Sequence, residues 1–301
     1  MDFTPGESQQ AVAGLAAEVL AAADPWKELA QAGLLSLGVL DTTTLLTEIG
    51  RRTPEIAMKA LATVMTGALP VSRWGSDQLK GELLPAVSSG EMILTAAMRE
   101  VPMASEASWI LTPGATGVAL VDPRSEGITL TKLPTSSGYP SFLMDLDRIS
   151  PQATLGGPEC ARDLEDLAVA GACALIDGAV AGALALTRDH VATRRQFGRP
   201  LAEFQAVSQQ IADVYIASRT MHLATLSSCW RLDTGRDPGA DLRVAGYWCA
   251  EQASQAVRHC HHLHGGLGMD VTYPLHRFSA LVMDLTRYLG GAEYRLECHV
   301  H

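Results

Sequence analysis

The C-terminal half of the chain constrains the fold most, because it reads as four long helices joined by short loops. Stop signals separate the helices: Gly198 and Pro200 follow the first, Gly235 follows the second, and Gly265 and Gly266 follow the third. The predicted helices run from about residue 162 to 195, 201 to 232, 241 to 265 and 275 to 288. Four helices of this length with short connections predict a bundle.

Apolar residues at helical spacing predict which faces of the bundle helices are buried. Asp241 is the predicted N-cap of the third helix. The predicted inward stripes are Phe204, Val207, Ile211, Val214 and Tyr215 in the second helix, and Phe278, Leu281, Val282 and Leu285 in the fourth.

The rest of the chain contains two further segments with different sequence patterns. Residues 1–92 read as shorter helices, the first carrying apolar residues at Val12, Leu15, Ala16, Val19 and Leu20. Residues 93–157 hold short apolar runs separated by Pro, Gly, Ser and Asp, which is a strand-and-turn pattern. The sequence therefore predicts a mainly α protein with a small β domain, in three domains: 1–92, 93–157 and 158–301.

Composition supports this fold class and excludes several functions. The chain is 47% hydrophobic but only 5% aromatic, which favours helix packing over a β-sandwich. A net charge of −10 argues against nucleic acid as the main partner. No uncharged apolar run reaches the roughly 18 residues of a membrane span. The N-terminal residues lack the basic region of a signal peptide, and the six cysteines include no CxxC pair, so a cytoplasmic protein with free thiols is expected.

A cluster of arginines marks the end of the first bundle helix. Arg188, Arg194, Arg195 and Arg199 lie close together in a chain that is otherwise acidic. Guanidinium groups form forks that suit phosphate or pyrophosphate. A basic end on a solvated helix explains the same residues, and composition alone favours that interpretation.

A second group of polar residues and glycines ends the third bundle helix. Gly265 and Gly266 permit close approach of a ligand, and amides in such a turn hold anions. The helix before them excludes a dinucleotide-binding fingerprint, which requires a strand there. His259 with His262, or Cys260 with His264, share a helix face, but no third ligand is evident, so no metal is predicted. A plain helix stop remains the alternative.

No catalytic residue is selected by position alone. The carboxylates Glu165, Glu203, Glu251 and Glu293 fall in the predicted bundle, and each is expected at the surface. The chain contains no G-x-S-x-G, P-loop or H-E-x-x-H motif.

Several motifs in order resemble the acyl-CoA dehydrogenase family. The start, Met1-Asp2-Phe3 with Gln9-Gln10, is similar to the family's opening helix. The segments 26–35 (WKELAQAGLL), 74–78 (WGSDQ), 84–85 (LP) and 89–91 (SGE) are similar to its N-terminal motifs. The most specific match is 194–200 (RRQFGRP) with Phe204-Gln205, followed by 264–268 (HGGLG).

The resemblance implies a fold and an activity. The family has an N-terminal helical domain, a β-domain and a C-terminal four-helix bundle, and it oxidises acyl-CoA thioesters to 2-enoyl-CoA with FAD, a carboxylate base and, as acceptor, an electron-transfer flavoprotein. FAD lies across a subunit interface. By resemblance, Arg194 meets the FAD pyrophosphate, Phe197 and Gln205 line the adenosine part, Gly265 and Gly266 give backbone contacts, and His262 stands where the family usually has Gln.

The chain departs from the family where the chemistry takes place. Leu289 replaces the catalytic Glu, and a Leu side chain cannot abstract a proton. Some members carry the base on the first bundle helix, at a place near Ala168, and Glu165 lies three residues away. The family's Gly-Ser-Asp flavin loop is missing from the corresponding segment 98–106 (MREVPMASE).

These departures lead to the hypothesis of a non-catalytic subunit. The chain resembles the short subunit of a heteromeric, α2β2, bacterial steroid-type acyl-CoA dehydrogenase, in which a homologous partner supplies the base, the flavin loop and the acyl-CoA pocket. Three alternatives stay open: a self-sufficient homomer that uses Glu165 as base, a flavin-free structural or binding subunit, and a metal protein that uses the His/Cys group.

Overall fold

The computed structural model describes residues 3–300, and the side chains of residues 3–298. The predicted opening residues Met1 and Asp2 lie outside this range. Helices occupy both ends of the chain and strands lie between them, so the predicted mainly α fold with a small β part is confirmed. The helices are α1 (Glu7–Val19), α2 (Pro25–Gln31), α3 (Val39–Arg52), α4 (Ala57–Ala60), α5 (Leu69–Trp74), α6 (Asp77–Ser88), α7 (Pro158–Thr193), α8 (Gln205–Asp233), α9 (Gly239–His264), α10 (Leu275–Tyr288) and α11 (Gly291–Val300). A π-helical stretch, Leu61–Ala68, joins α4 to α5.

Nine short strands complete the described fold. They are β1 (Leu94–Ala96), β2 (Val101–Pro102), β3 (Trp109–Gly114), β4 (Gly117–Val121), β5 (Ile128–Leu133), β6 (Ser141–Leu146), β7 (Ala153–Leu155), β8 (Arg195–Gln196) and β9 (Arg199–Pro200). One sheet has the order β1-β3-β4-β7, in which only β1 and β3 run parallel. An antiparallel sheet has the order β2-β6-β5, and β8 pairs with β9 as a separate hairpin.

Helix α7 is the central element of the core. Its sequence is rich in Ala, Gly and Leu, so neighbouring helices approach it closely, and Pro158 at its first position has a φ angle that suits a helix start. Apolar residues of α1, α2, α3 and α10 share one buried cluster with α7.

The division of the chain into domains at residues 92 and 157 stays a prediction.

Two glycines set the distance between α3 and α7. A Cβ atom on Gly178 would strike the backbone oxygen of Thr47, and one on Gly50 would strike the backbone oxygen of Leu175. The two helices therefore touch backbone to backbone, which only glycine permits at these positions.

Several predicted details differ from the structure. The α7 helix starts at Pro158, before residue 162, and ends at Thr193 because Arg194 is extended. The α8 helix starts at Gln205, since residues 201–203 form a 3₁₀ turn. Asp241 lies inside α9, whose N-cap is Pro238, and it binds Ser227 and Arg231 instead.

The predicted inward faces are confirmed for the fourth bundle helix and only in part elsewhere. Phe278, Leu281, Val282 and Leu285 are buried in α10. In α8, Val214 is buried but Tyr215 is 57% exposed, and in α1 the side chain of Leu15 is 38% exposed. Helical spacing identifies an apolar face, but it does not distinguish a core face from one that stays at the surface.

One helix of the described chain, α7, is long and apolar enough in composition to cross a membrane. The fold gives another reason for that composition, because 83% of its most apolar 18-residue stretch is buried inside the protein.

We expect Gly178→Ala to lower the free energy of unfolding by about 1–3 kcal/mol, because the added methyl meets backbone that has no rotamer to move away. Chemical denaturation measures the change. Gly81→Ala in α6 is the matched control: its Cβ would meet open space, so helix propensity should stabilise that variant by about 0.5–1 kcal/mol. Equal effects of the two substitutions would contradict the close approach.

Candidate functional site

A cleft of about 600 Å³ opens where the end of α7, the start of α8 and the end of α9 meet. Four of the six predicted cofactor-binding residues line it: Arg194, His262, Gly265 and Gly266. The other residues around the cleft are His190, Leu201, Ala206, Val207, Gln210, Leu263, His264 and Leu267. The cleft thus combines residues that are far apart in the sequence.

Arg194 enters the cleft because α7 ends directly before it. Its backbone is extended, with φ −69° and ψ 121°, and its N–H donates to the carbonyl oxygen of His190 at 2.8 Å. The chain then forms the β8–β9 hairpin, in which Gly198 and Phe197 both take left-handed φ angles. The guanidinium of Arg194 is exposed, so it is free to meet an anion.

Phe197 and Gln205 lie beside the cleft and do not line it. Phe197 sits at the tip of the hairpin with 93% of its surface exposed, and its ring meets the edge of Phe204 at a centroid distance of 6.2 Å. Gln205 is the exposed first residue of α8. Their roles toward an adenosine group stay predictions.

The N-terminus of α8 adds a positive partial charge at the cleft. Its N-cap residue is Phe204, which has no oxygen to cap the first amides, and Ala206 and Val207 from the first turn line the cleft. A long helix carries a partial positive charge at this end. Together with Arg194, the helix end makes the cleft suitable for a phosphate-bearing anion.

The two glycines form the opposite wall. Gly265 ends α9 with φ 57° and ψ −135°, a conformation that other residues rarely adopt. A Cβ atom at either Gly265 or Gly266 would meet open space, so this wall is unobstructed backbone. The exposed His262 stands beside them, and its Nδ1 donates to Oε1 of Gln210 at 3.1 Å.

A stacked pair of histidines at the base of the cleft was not predicted. The rings of His190 and His264 lie 4.5 Å apart between centroids and 17° from parallel. His264 is buried and also bonds to Tyr273. No local sequence pattern indicated the pair, because His190 lies in α7 and His264 in α9.

The predicted His/Cys pairs do not form a ligand set in the structure. His264 Nδ1 bonds to the backbone oxygen of Cys260 and not to its thiol, which is buried. Within residues 3–300, no three His, Cys, Asp or Glu side chains converge as metal ligands.

The carboxylates considered as bases are not buried. Glu165, Glu203 and Glu293 are exposed and Glu251 is partly exposed, as expected. Leu289 is fully buried in the main core cluster.

Asp166 is an ionisable group that the sequence analysis missed. Burial raises the pKa of Asp166 to about 6, and the nearby Asp163, Glu165 and Asp237 add to the effect. It lies two residues from Ala168, so the two side chains point to different sides of α7 and Asp166 does not take that alternative base position.

The segment at 98–106 is tied to α10 and α11. Glu100 is buried, accepts a 2.6 Å hydrogen bond from the hydroxyl of Tyr139 and pairs with Arg287 at 3.0 Å. Burial and the nearby Glu100 raise the pKa of Tyr139, which keeps its hydroxyl protonated as the donor. The Arg99 guanidinium stacks on Tyr294, with its Cζ atom 3.4 Å from the ring centroid. The segment at 98–106 therefore makes its contacts within the chain.

Comparison with known proteins gives these features a context. The family model "Acyl-CoA dehydrogenase, C-terminal domain" matches residues 167–297. The acyl-CoA dehydrogenase FadE28 of Mycobacterium tuberculosis is 39% identical over 333 residues, covering 99% of this chain and 97% of FadE28.

Two solved structures of two-protein complexes are also similar. A chain of the ChsE4-ChsE5 complex from Mycobacterium tuberculosis superposes with a TM-score of 0.90 and 26% identity, covering 99% of this chain and 97% of that one. A chain of a Tcur3481-Tcur3483 steroid ACAD variant superposes with a TM-score of 0.89 and 27% identity. The match covers 99% of this chain and 98% of that one. The chain belongs to the acyl-CoA dehydrogenase family, as its motifs predicted.

We expect Asp166→Asn to stabilise the protein at pH 7.5 by about 1 kcal/mol, a value reduced for the partial exposure of the side chain. The pKa of Asp166 is higher in the folded chain than in the unfolded chain, so its stabilising effect is complete below about pH 4 and is lost as the pH rises through 6. Thermal unfolding from pH 4 to 8 measures the difference, which should vanish near pH 4. The exposed Glu165→Gln is the control, and a gain for Asp166→Asn that does not vary with pH would contradict the assignment.

Proposed function

We propose that this chain is the non-catalytic subunit of a heteromeric, FAD-dependent acyl-CoA dehydrogenase. The observation that carries the proposal is the open cleft in which Arg194, the α8 N-terminus and the Gly265-Gly266 turn come together. The buried Leu289 stands where the family places its base, which supports assigning the proton abstraction to another chain.

The residues of the cleft fit one part of FAD, its diphosphate. Arg194 offers two parallel N–H donors to phosphate oxygens, and the unobstructed turn at Gly265 and Gly266 leaves room for a ligand to approach backbone. The exposed ring of Phe197 provides an apolar face for an adenine. When bound, FAD supplies the acceptor for the hydride that leaves the β-carbon of the acyl thioester. This chain's part is to hold and orient a cofactor seated on the partner.

The similar complexes support the proposed partner and substrate class. The ChsE4-ChsE5 and Tcur3481-Tcur3483 structures each hold two proteins, which supports a homologous catalytic partner and an α2β2 assembly. The second is described as a steroid ACAD, so we assign a steroid-derived acyl-CoA thioester as the substrate class. An electron-transfer flavoprotein as acceptor and a cytoplasmic location complete the proposal.

Arg194→Ala tests the proposal through the flavin content of the complex co-purified with its partner. Loss of a charge-assisted hydrogen bond costs about 1.5–3 kcal/mol, so FAD should bind about 10–100-fold more weakly, as measured from visible absorbance after dialysis. Arg188→Ala is the matched control, since Arg188 lies on the same helix and pairs with Asp189 outside the cleft.

Three results would contradict the proposal. Unchanged flavin content in Arg194→Ala would remove the cofactor role. Flavin bands in the chain purified alone would favour the homomer, and Glu165→Gln would then be the next variant to assay. The absence of flavin from every complex would leave a structural subunit.

A further inference from the structure

His190 is the ionisable side chain of α7 that lines the cleft, and Arg194 follows directly after the last residue of that helix. The backbone N–H of Arg194 donates to the carbonyl oxygen of His190 at 2.8 Å, and both residues line the cleft. Among the described residues, none forms a hydrogen bond with the ring nitrogens of His190, although the ring is only partly exposed. A ring nitrogen without a partner beside an arginine is available to a ligand.

His264 fixes the position of the His190 ring. Its Nδ1 donates to the carbonyl oxygen of Cys260 at 2.8 Å, since a carbonyl oxygen can only accept. Its Nε2 lies 3.0 Å from the hydroxyl of Tyr273, which can donate to the neutral ring. Burial lowers the pKa of His264, so the ring stays neutral. His264 is therefore a flat, uncharged support on which His190 stacks.

The surroundings of His190 favour its neutral form while the cleft holds no anion. Burial lowers the pKa of His190, and the positive charge of Arg194 lowers it further. The groups that line the cleft with it are Arg194 directly after α7, Gln210 from α8, and His262 and His264 from α9. Tyr273 contacts the ring of His264. The carboxylate nearest to His190 in the sequence is that of Asp189, which is exposed and pairs with Arg188. No carboxylate among the described residues lines the cleft to offset Arg194.

A bound diphosphate instead favours the charged form of His190. Two negative charges placed between Arg194 and the α8 N-terminus cancel the repulsion that disfavours an imidazolium at His190. The charged ring then donates a hydrogen bond to a phosphate oxygen, which is stronger than a bond from the neutral ring. Binding of the anion and protonation of His190 therefore promote each other.

We propose that His190 is a second cationic contact to the diphosphate of the cofactor, and that it takes up one proton when the diphosphate binds. This inference rests on the proposed function, because it concerns the same cleft. His190 lies outside the 194–200 motif that marks the cleft. Its protonation would make retention of the cofactor depend on pH. Affinity should rise as the pH falls from 8 toward 6, by at most tenfold per pH unit for one proton.

The full chain titrated with ADP tests the proposal, since ADP carries the diphosphate and adenosine groups without a flavin. Calorimetry at pH 6.0, 7.0 and 8.0, in buffers with different ionisation enthalpies, gives the total number of protons exchanged. The terminal phosphate of ADP has a second pKa of about 6, so its change of protonation is followed by phosphorus NMR and subtracted to give the uptake by the protein. We expect an uptake approaching one proton in the range where His190 changes its charge. In His190→Gln the uptake should disappear, and the affinity at pH 6 should fall about tenfold while that at pH 8 changes little.

Two further variants make the result specific. His190→Arg carries a permanent charge, so it should bind ADP with high affinity at all three pH values and without proton uptake. His259→Gln replaces a histidine of another groove between α8 and α9 and should behave as the wild type.

The outcomes separate this inference from the proposed function. Proton uptake that persists in His190→Gln, with ADP binding still dependent on Arg194, overturns the role of His190 and leaves the cleft as a diphosphate site. ADP binding that is unaffected by Arg194→Ala overturns the proposed cofactor role itself. Absence of ADP binding at millimolar concentration overturns both.

Discussion

The contact between the backbones of α3 and α7 is the constraint on which the rest of the structure depends. Gly50 and Gly178 let the two helices touch without side chains between them, and this places the 36-residue α7 inside the core. Because α7 is 36 residues long, its start lies near the sheets while its end brings His190 and the following Arg194 to the cleft. The packing that buries the helix therefore also positions the candidate site.

The region around Leu289 and the cleft at Arg194 differ in what fills them. Around Leu289, the protein fills the space with its own groups: the Glu100–Arg287 ion pair, the Tyr139 hydroxyl and the Arg99 stack on Tyr294 hold the strand-rich segment against α10 and α11. Burying the carboxylate of Glu100 costs desolvation, and its hydrogen bonds to Tyr139 and Arg287 offset that cost. In the cleft at Arg194, by contrast, the protein does not fill the space, and the cationic and backbone groups stay exposed to water.

Much of the fold was predictable because its signals are local. The inward face of α10 follows from helical spacing, and the ends of α8 and α9 follow from Gly235 and Gly265. The motif residues Arg194 and Gly265 could be found because they stand next to glycines and prolines with strong backbone preferences. The order of motifs then gave the family.

The remainder depends on contacts that no local pattern records. Glu100 and Arg287 lie 187 residues apart, so their pairing follows only from the folded chain. Asp241 was expected to cap α9, but tertiary partners on α8 hold it instead. The exposure of Tyr215 could not be predicted, because helical spacing is the same for a core face and a surface face. His190 carries no sequence signal until its neighbours are known.

The exposed apolar side chains beside the cleft affect how the free chain behaves in solution. Phe197 is 93% exposed, and Met269 and Val271 are each 80% exposed on the segment that follows the glycine turn. Apolar groups of this kind promote aggregation and attract chaperones until they are covered. The chain should therefore stay in solution more readily when another surface covers these three side chains than when water does.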